Sequence, residues 1–213
     1  MRKYFVILLC LFWAQNATAF CRTVSPKVNI VTKPGSVRYI TTMSRQEFLK
    51  KAPRTMSPNT LGMTVSNLNV TGKSVPDLQQ QSRTVACVQL REINLTMGYD
   101  IIDVYIDKKY KPGSCEYEVV KEHENYHVRV SQEAMQFFKP DLEKAVRAAV
   151  KRVSMQYAYS PSDVQRLVQA QFQQVMADIQ PTIQHINDKI AEKNYQIDTP
   201  QSYRATSKLC KHW

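Results

Sequence analysis

Residues 116–138, EYEVVKEHENYHVRVSQEAMQFF, decide how the rest of the chain is read. They contain His123-Glu124-Asn125-Tyr126-His127, a His-Glu-x-x-His spacing. On a helix, side chains four residues apart share a face, so His123 and His127 point the same way and can reach one zinc ion. Glu124 lies beside them as a candidate general base. Ser114 suits the N-cap of this helix, and Glu116 and Glu118 suit its positive end. Val119, Val120, Val130, Ala134, Phe137 and Phe138 fall on the histidine side of the helical wheel. The two imidazoles are therefore expected to face the interior, where they need partners; a metal ion is one.

A catalytic zinc takes three protein ligands and leaves one position open. Asp198 and His185 are the candidates for the third ligand, with Asp188, Gln201 and Tyr203 as further polar residues in reach of the same argument. Glu133 lies six residues after His127, a spacing used where the helix ends just past the second histidine. Such an ending needs a glycine where Val130 stands, so Glu133 reads as a surface residue. His185 sits beside an apolar stripe and is either a ligand or a boundary residue. Tyr203 could instead stabilise an oxyanion.

Before this helix the chain reads as β structure. KVNIVTK and SVRYITT flank Pro34-Gly35 and predict an antiparallel hairpin over residues 27–43. Ser44-Arg45-Gln46-Glu47 has capping-box form and predicts a short helix to about Lys51. Residues 53–80 are rich in Pro, Ser, Thr and Asn and read as a long loop with one strand at LGMTVSNLNV. RTVACVQLREINLTM and DIIDVYID predict two strands, with a turn at Met97-Gly98-Tyr99-Asp100.

After the histidine helix, Lys139-Pro140 predicts a break. A second helix is expected from about Asp141 to Gln156, burying Leu142, Ala145, Val146, Ala149, Val150 and Val153. Ser160-Pro161-Ser162-Asp163 is a helix start. The third helix repeats Val164, Val168, Phe172, Val175, Ile179, Ile183, Ile186 and Ile190 at threes and fours, with a kink expected at Pro181. The tail from Asn194 to Trp213 reads as irregular. The fold class is therefore α+β: N-terminal antiparallel strands packed on a three-helix C-terminal half.

The N-terminus has the form of a targeting segment. Arg2 and Lys3 precede an apolar run from Tyr4 to Trp13, and Ala17-Thr18-Ala19 is a small-x-small cleavage site. Residues 1–19 are expected to leave as a signal peptide, with residues 20–213 as one domain, exported to a periplasm or secreted. Phe20 before Cys21 argues against lipid attachment. No later segment reaches the length of a membrane span. Cleavage removes Arg2 and Lys3, taking the formal charge from +11 to +9. The positive charges are spread over amphipathic helices without an aromatic-interleaved patch, so no specific nucleic-acid binding is expected. Cys10 leaves with the signal. Cys21, Cys87, Cys115 and Cys210 remain, an even number that predicts two disulfides with three possible connectivities. None is in a Cys-x-x-Cys pair, which argues against a cysteine zinc site.

Ser114-Cys115-x-Tyr117 followed by His123-Glu124-x-x-His127, behind a signal-like segment and before paired amphipathic helices, resembles a bacterial domain family of unknown function assigned as secreted zinc-dependent proteases. The resemblance spans residues 85–210, and its specific part is the His-Glu-x-x-His segment. The family tail reads Tyr-Asp-x-x-Thr-x-His-Gly. Here Tyr195 and Thr199 match, whereas Gln196, Gln201 and Ser202 depart. Gln201 stands in place of the family histidine, and Asp198 is the carboxylate that can substitute for it. The resemblance implies a zincin-like fold, in which a sheet packs beside the metal helix and its edge strand holds an extended peptide. It also implies zinc-dependent hydrolysis of a peptide or protein substrate. The alternative expectation is a non-catalytic exported binding or assembly protein with a structural or vestigial metal site.

Overall fold

A computed structural model describes residues 21–50, 60–211 and 213. The proposed signal peptide lies outside the described residues, as does the first part of the loop expected at 53–80. The fold is α+β, with mixed sheets and a helical C-terminal half.

The strands are β1 (Lys27–Lys33), β2 (Ser36–Ile40), β3 (Gly62–Ser66), β4 (Asn69–Gln80), β5 (Ala86–Gly98), β6 (Ile101–Ile106) and β7 (Gln156–Ala158). β1 does not turn back on β2. β1 runs parallel to β5, from Lys27 opposite Glu92 to Lys33 opposite Gly98. β2 runs parallel to β6, from Ser36 opposite Ile101 to Ile40 opposite Tyr105, without a change of register. Pro34-Gly35 and Tyr99-Asp100 are therefore bends in one continuing ladder. Tyr99 N–H donates to the Lys33 carbonyl and Ser36 N–H to the Asp100 carbonyl, so hydrogen bonding continues across the bend. Gly35 has φ +76°, and a Cβ there would come within 2.8 Å of the Tyr99 Cβ; the bend requires glycine.

β3 falls within the strand expected at LGMTVSNLNV, whereas most of the remaining described part of the loop expected at 53–80 is a second strand, β4. β3 and β4 run antiparallel to β6 and β5, with a bulge between Val75 and Pro76. Pro76 is tolerated because β4 is an edge strand and the bulge relaxes its pairing. Val28 and Ile30 of β1, Ile93, Leu95 and Met97 of β5, and Ile102, Val104 and Ile106 of β6 all enter one core. Their alternation with mostly polar residues puts the main core on one face. The expected capping box is present at Ser44 and opens α1 (Arg45–Leu49). Phe48 of α1 packs with Met63 and Tyr105 on the other face of β3 and β6.

The covering layer is a helical hairpin. α2 (Cys115–Arg152) runs without interruption through Pro140, so the expected break and the separate second helix are not found. Proline in a helix interior costs about 3 kcal/mol. Met135, Leu142 and Val146 are almost fully buried on either side of Pro140, and the buried face outweighs that cost. Ser114 caps α2 by accepting from Tyr117 N–H. Phe137 is an exception to the expected inner face: it is 74% exposed, and Met135 takes the core position. After β7 the chain returns in α3 (Pro161–Ile197), started by the Ser160 cap. Val175, Ile179, Ile183, Ile186 and Ile190 form its buried stripe, as the spacing predicts. The tail is not irregular. α3 extends to Ile197, and Thr199 caps a further helix, α4 (Pro200–Ser207). The helical half is thus two long helices and one short one.

Two disulfides close, Cys21–Cys87 and Cys115–Cys210. The second ties the start of α2 to the segment after α4. Among the described residues no helix is long and apolar enough to cross a membrane.

Candidate metal centre

The site forms where the last turn of α3 and the first of α4 return to the N-terminal third of α2. His123 and His127 are brought to one face by the helix, as their spacing requires. His127 is buried and His123 half-buried, with ring centroids 5.1 Å apart. Asp198, the C-cap of α3, places one oxygen between them. Its Oδ1 lies 3.0 Å from His123 Nε2 and 3.1 Å from His127 Nε2. The Tyr203 hydroxyl on α4 donates to the same oxygen at 2.8 Å. Asn194, one turn before Asp198 on α3, places Oδ1 3.0 Å from His127 Nδ1.

Glu124 reaches toward β3, within range of the charges of both histidines and Asp198. It is 2% exposed. Thr64 Oγ1 donates to Glu124 Oε2 at 2.8 Å. The other carboxylate oxygen lies against Gly62, where a Cβ would come within 2.7 Å of it. Residues 62, 64 and 66 alternate toward α2, and Ser66 continues the row by hydrogen bonding Ser131. On the other edge strand, the Tyr39 hydroxyl donates to Asn125 Oδ1 at 2.6 Å. The motif is therefore held from both edges of the β2–β6–β3 sheet.

The electrostatics follow from burial and mutual contact. Burial pushes the Asp198 carboxyl up, but hydrogen bonds from both histidines, the His127 charge and the Tyr203 hydroxyl hold it well below the ordinary carboxylate range. Burial pulls the His127 imidazole down, yet the bond to Asp198 and the charges of Glu124 and Asp198 outweigh it and place it at about 8. Glu124 is raised: burial dominates, and the nearby histidines and the Thr64 hydrogen bond only partly oppose it. Tyr203 is raised by burial and by the Asp198 charge, against a hydrogen bond with Thr60. It keeps its proton and acts as a donor.

His123, His127 and Asp198 form a group that could hold a metal ion, with their ligand atoms all within 4.8 Å of one another. Metal–donor bonds of about 2.0–2.1 Å in a tetrahedron separate the donors by about 3.3 Å. The two His–Asp198 distances are already near that spacing. The donor set, two imidazole nitrogens and one carboxylate oxygen, suits a borderline divalent metal.

The other sequence candidates lie elsewhere. His185 is exposed on α3 and sits nine residues before Asn194, about 13 Å along the axis, outside the His123, His127 and Asp198 group. Asp188 and Glu133 are exposed, and Asp188 accepts from Gln184. Gln201 is exposed on α4. Sequence reasoning did not single out Asn194, Gly62 or Thr64. For Asn194 a signal existed: it lies four residues before Asp198, the spacing that made the histidine pair visible. For Gly62 and Thr64 none did, since their role depends on β3 pairing with β6. No protein-family model, no curated protein and no solved structure matches this chain.

Proposed function

We propose that this chain is an exported zinc-dependent peptidase of zincin-like architecture. The observation that carries the reading is one Asp198 oxygen within 3.1 Å of the Nε2 atoms of both His123 and His127. Beside that centre stands a carboxyl whose affinity for protons is raised by burial, Glu124. His123, His127 and Asp198 are the three ligands, and zinc fits this nitrogen and oxygen set better than calcium or magnesium, which favour oxygen. Bound there, zinc supplies a Lewis acid that acidifies water and polarises a carbonyl. Glu124 acts as general base, taking a proton from the attacking water and returning it to the leaving amine. Its raised affinity brings it closer to neutral pH, where a base is most effective. Thr64 orients the carboxylate, and Tyr203 holds Asp198 in place. The exposed edges of β2 and β3 flank the helix and suit an extended peptide or protein substrate. The disulfides suit an oxidising compartment, in keeping with export.

One observation favours a second reading. Glu124 is almost fully enclosed and already bonded to Thr64. A sealed carboxylate of this kind also suits a non-catalytic exported binding or assembly protein with a structural metal site. Two measurements separate the readings. Zinc content of purified protein is expected to be stoichiometric in wild type and lost in His123→Ala and Asp198→Ala. Glu124→Gln is expected to keep zinc and to lose hydrolysis of a denatured protein substrate by more than a hundredfold. Zinc-loaded wild type without peptidase activity toward a broad peptide library supports the structural reading, and absence of zinc from wild type refutes both.

A further inference from the structure

Resting on the metal-site part of that reading, we infer that Asn194 is a positioning residue that fixes which nitrogen of His127 faces the metal. A neutral imidazole carries its proton on one nitrogen and offers the lone pair of the other. His127 uses both nitrogens. Nε2 faces Asp198 and the His123 ring, and Nδ1 faces the Asn194 side-chain oxygen at 3.0 Å. An amide oxygen is only an acceptor, so Nδ1 must carry the hydrogen and donate it. In the neutral ring that would bind a metal, Nε2 is then left with its lone pair directed into the ligand cluster, in place of the hydrogen bond that it gives Asp198 here.

The arrangement is built into the helix pair. His123 and His127 are one turn apart on α2, and Asn194 and Asp198 are one turn apart at the end of α3. The helices run in opposite directions, so both pairs meet in one layer. Asp198 reaches both histidines, and Asn194 reaches the far side of the second ring. Asn194 is half-buried, and His127 is 6% exposed. Little water can reach Nδ1 to replace the amide, so loss of Asn194 leaves the ring free to adopt the other tautomer or to turn. Partners that orient a ligand histidine in this way are typically worth about 10- to 100-fold in metal affinity.

The test uses full-length mature protein and zinc alone, with chelator competition to read the dissociation constant. Asn194→Ala is expected to weaken zinc about 10- to 100-fold. Asn194→Asp keeps an accepting oxygen and is expected to bind within a few-fold of wild type. Nitrogen NMR of histidine-labelled, zinc-loaded protein is expected to show a protonated Nδ1 at His127 in wild type and in Asn194→Asp. Thermal melts of the metal-free variants show whether each one folds. A folded Asn194→Ala that binds zinc within twofold of wild type overturns the inference, as does an unprotonated Nδ1 in the wild-type complex. His127→Ala separates the two levels of argument. If it abolishes zinc binding while Asn194→Ala does not weaken it, the metal site stands and the role of Asn194 falls. If His127→Ala binds zinc like wild type, both fall. Peptidase activity enters neither outcome.

Discussion

Gly62→Ala should destabilise the protein, mainly through Glu124. An alanine Cβ at position 62 would lie 2.7 Å from Glu124 Oε1, 2.8 Å from Glu124 Cγ and 2.9 Å from the Tyr105 carbonyl oxygen. Carbon atoms in contact settle at about 3.5–4.0 Å, so something must move by several tenths of an ångström. The Tyr105 carbonyl belongs to the paired strand β6 and yields little. Glu124 can move only by leaving Thr64, its 2.8 Å donor. Overpacking of this kind costs about 1–3 kcal/mol, as does loss of a hydrogen bond to a charged group. Taking about 2 kcal/mol in all, at about 2–4 °C per kcal/mol for a domain of this size, the melting temperature should fall by about 4–8 °C. Calorimetry of the metal-free protein reads that shift directly. The discriminating measurement is a double-mutant cycle with Glu124→Ala. Removing the carboxylate deletes two of the three close contacts, so the extra methyl should cost at least about 1 kcal/mol less in that background. A Gly62→Ala protein that melts within 1 °C of wild type, or that is additive with Glu124→Ala, would refute the packing of β3 on Glu124.

Two further predictions concern the supports of the site. Tyr99 is enclosed beside the hydrogen-bonded Ser66 and Ser131 hydroxyls, without a well-aligned bond of its own, and burial pushes its hydroxyl up to about 12. Above pH 10 the unfolded chain loses this proton while the folded chain keeps it, so stability falls as pH rises from 10 to 12, by at most about 2.7 kcal/mol. Tyr99→Phe should flatten that part of the urea-midpoint profile relative to wild type, and parallel profiles would contradict the burial. The Cys115–Cys210 bridge closes a separation of 95 residues, for which chain entropy gives about 4.7 kcal/mol. Replacing both cysteines with alanine should lower the denaturation midpoint accordingly, whereas a loss below 1 kcal/mol would mean that α4 is held by its own packing.

What the sequence discloses about this protein divides along the line between local and distant interactions. The Ser44 capping box, the Ser114 and Ser160 caps and the apolar stripe of α3 are decided within a few residues, and the structure follows them. Pro34-Gly35 is different. The same dipeptide makes a reversal or a bend, and the choice is made by Tyr99 and Asp100, which continue the ladder 65 residues later. β4 holds Gly72 and Pro76 and has weak strand propensity of its own, so its pairing with β5 makes it a strand. The site obeys the same division. The histidine pair is a local pattern and is legible at once. Its complement is equally regular but lies on another helix. Four residues forward on α2, from His123 to His127, are matched by four residues back on α3, from Asp198 to Asn194. That correspondence exists only if α2 and α3 are two uninterrupted arms of one hairpin. Treating Lys139-Pro140 as a break removes the long arm and with it the geometric reason for choosing Asp198 over His185. Burial at Met135 and Leu142, on both sides of Pro140, outweighs the loss of one backbone hydrogen bond, and the continued helix is what lets Asp198 meet the histidine pair.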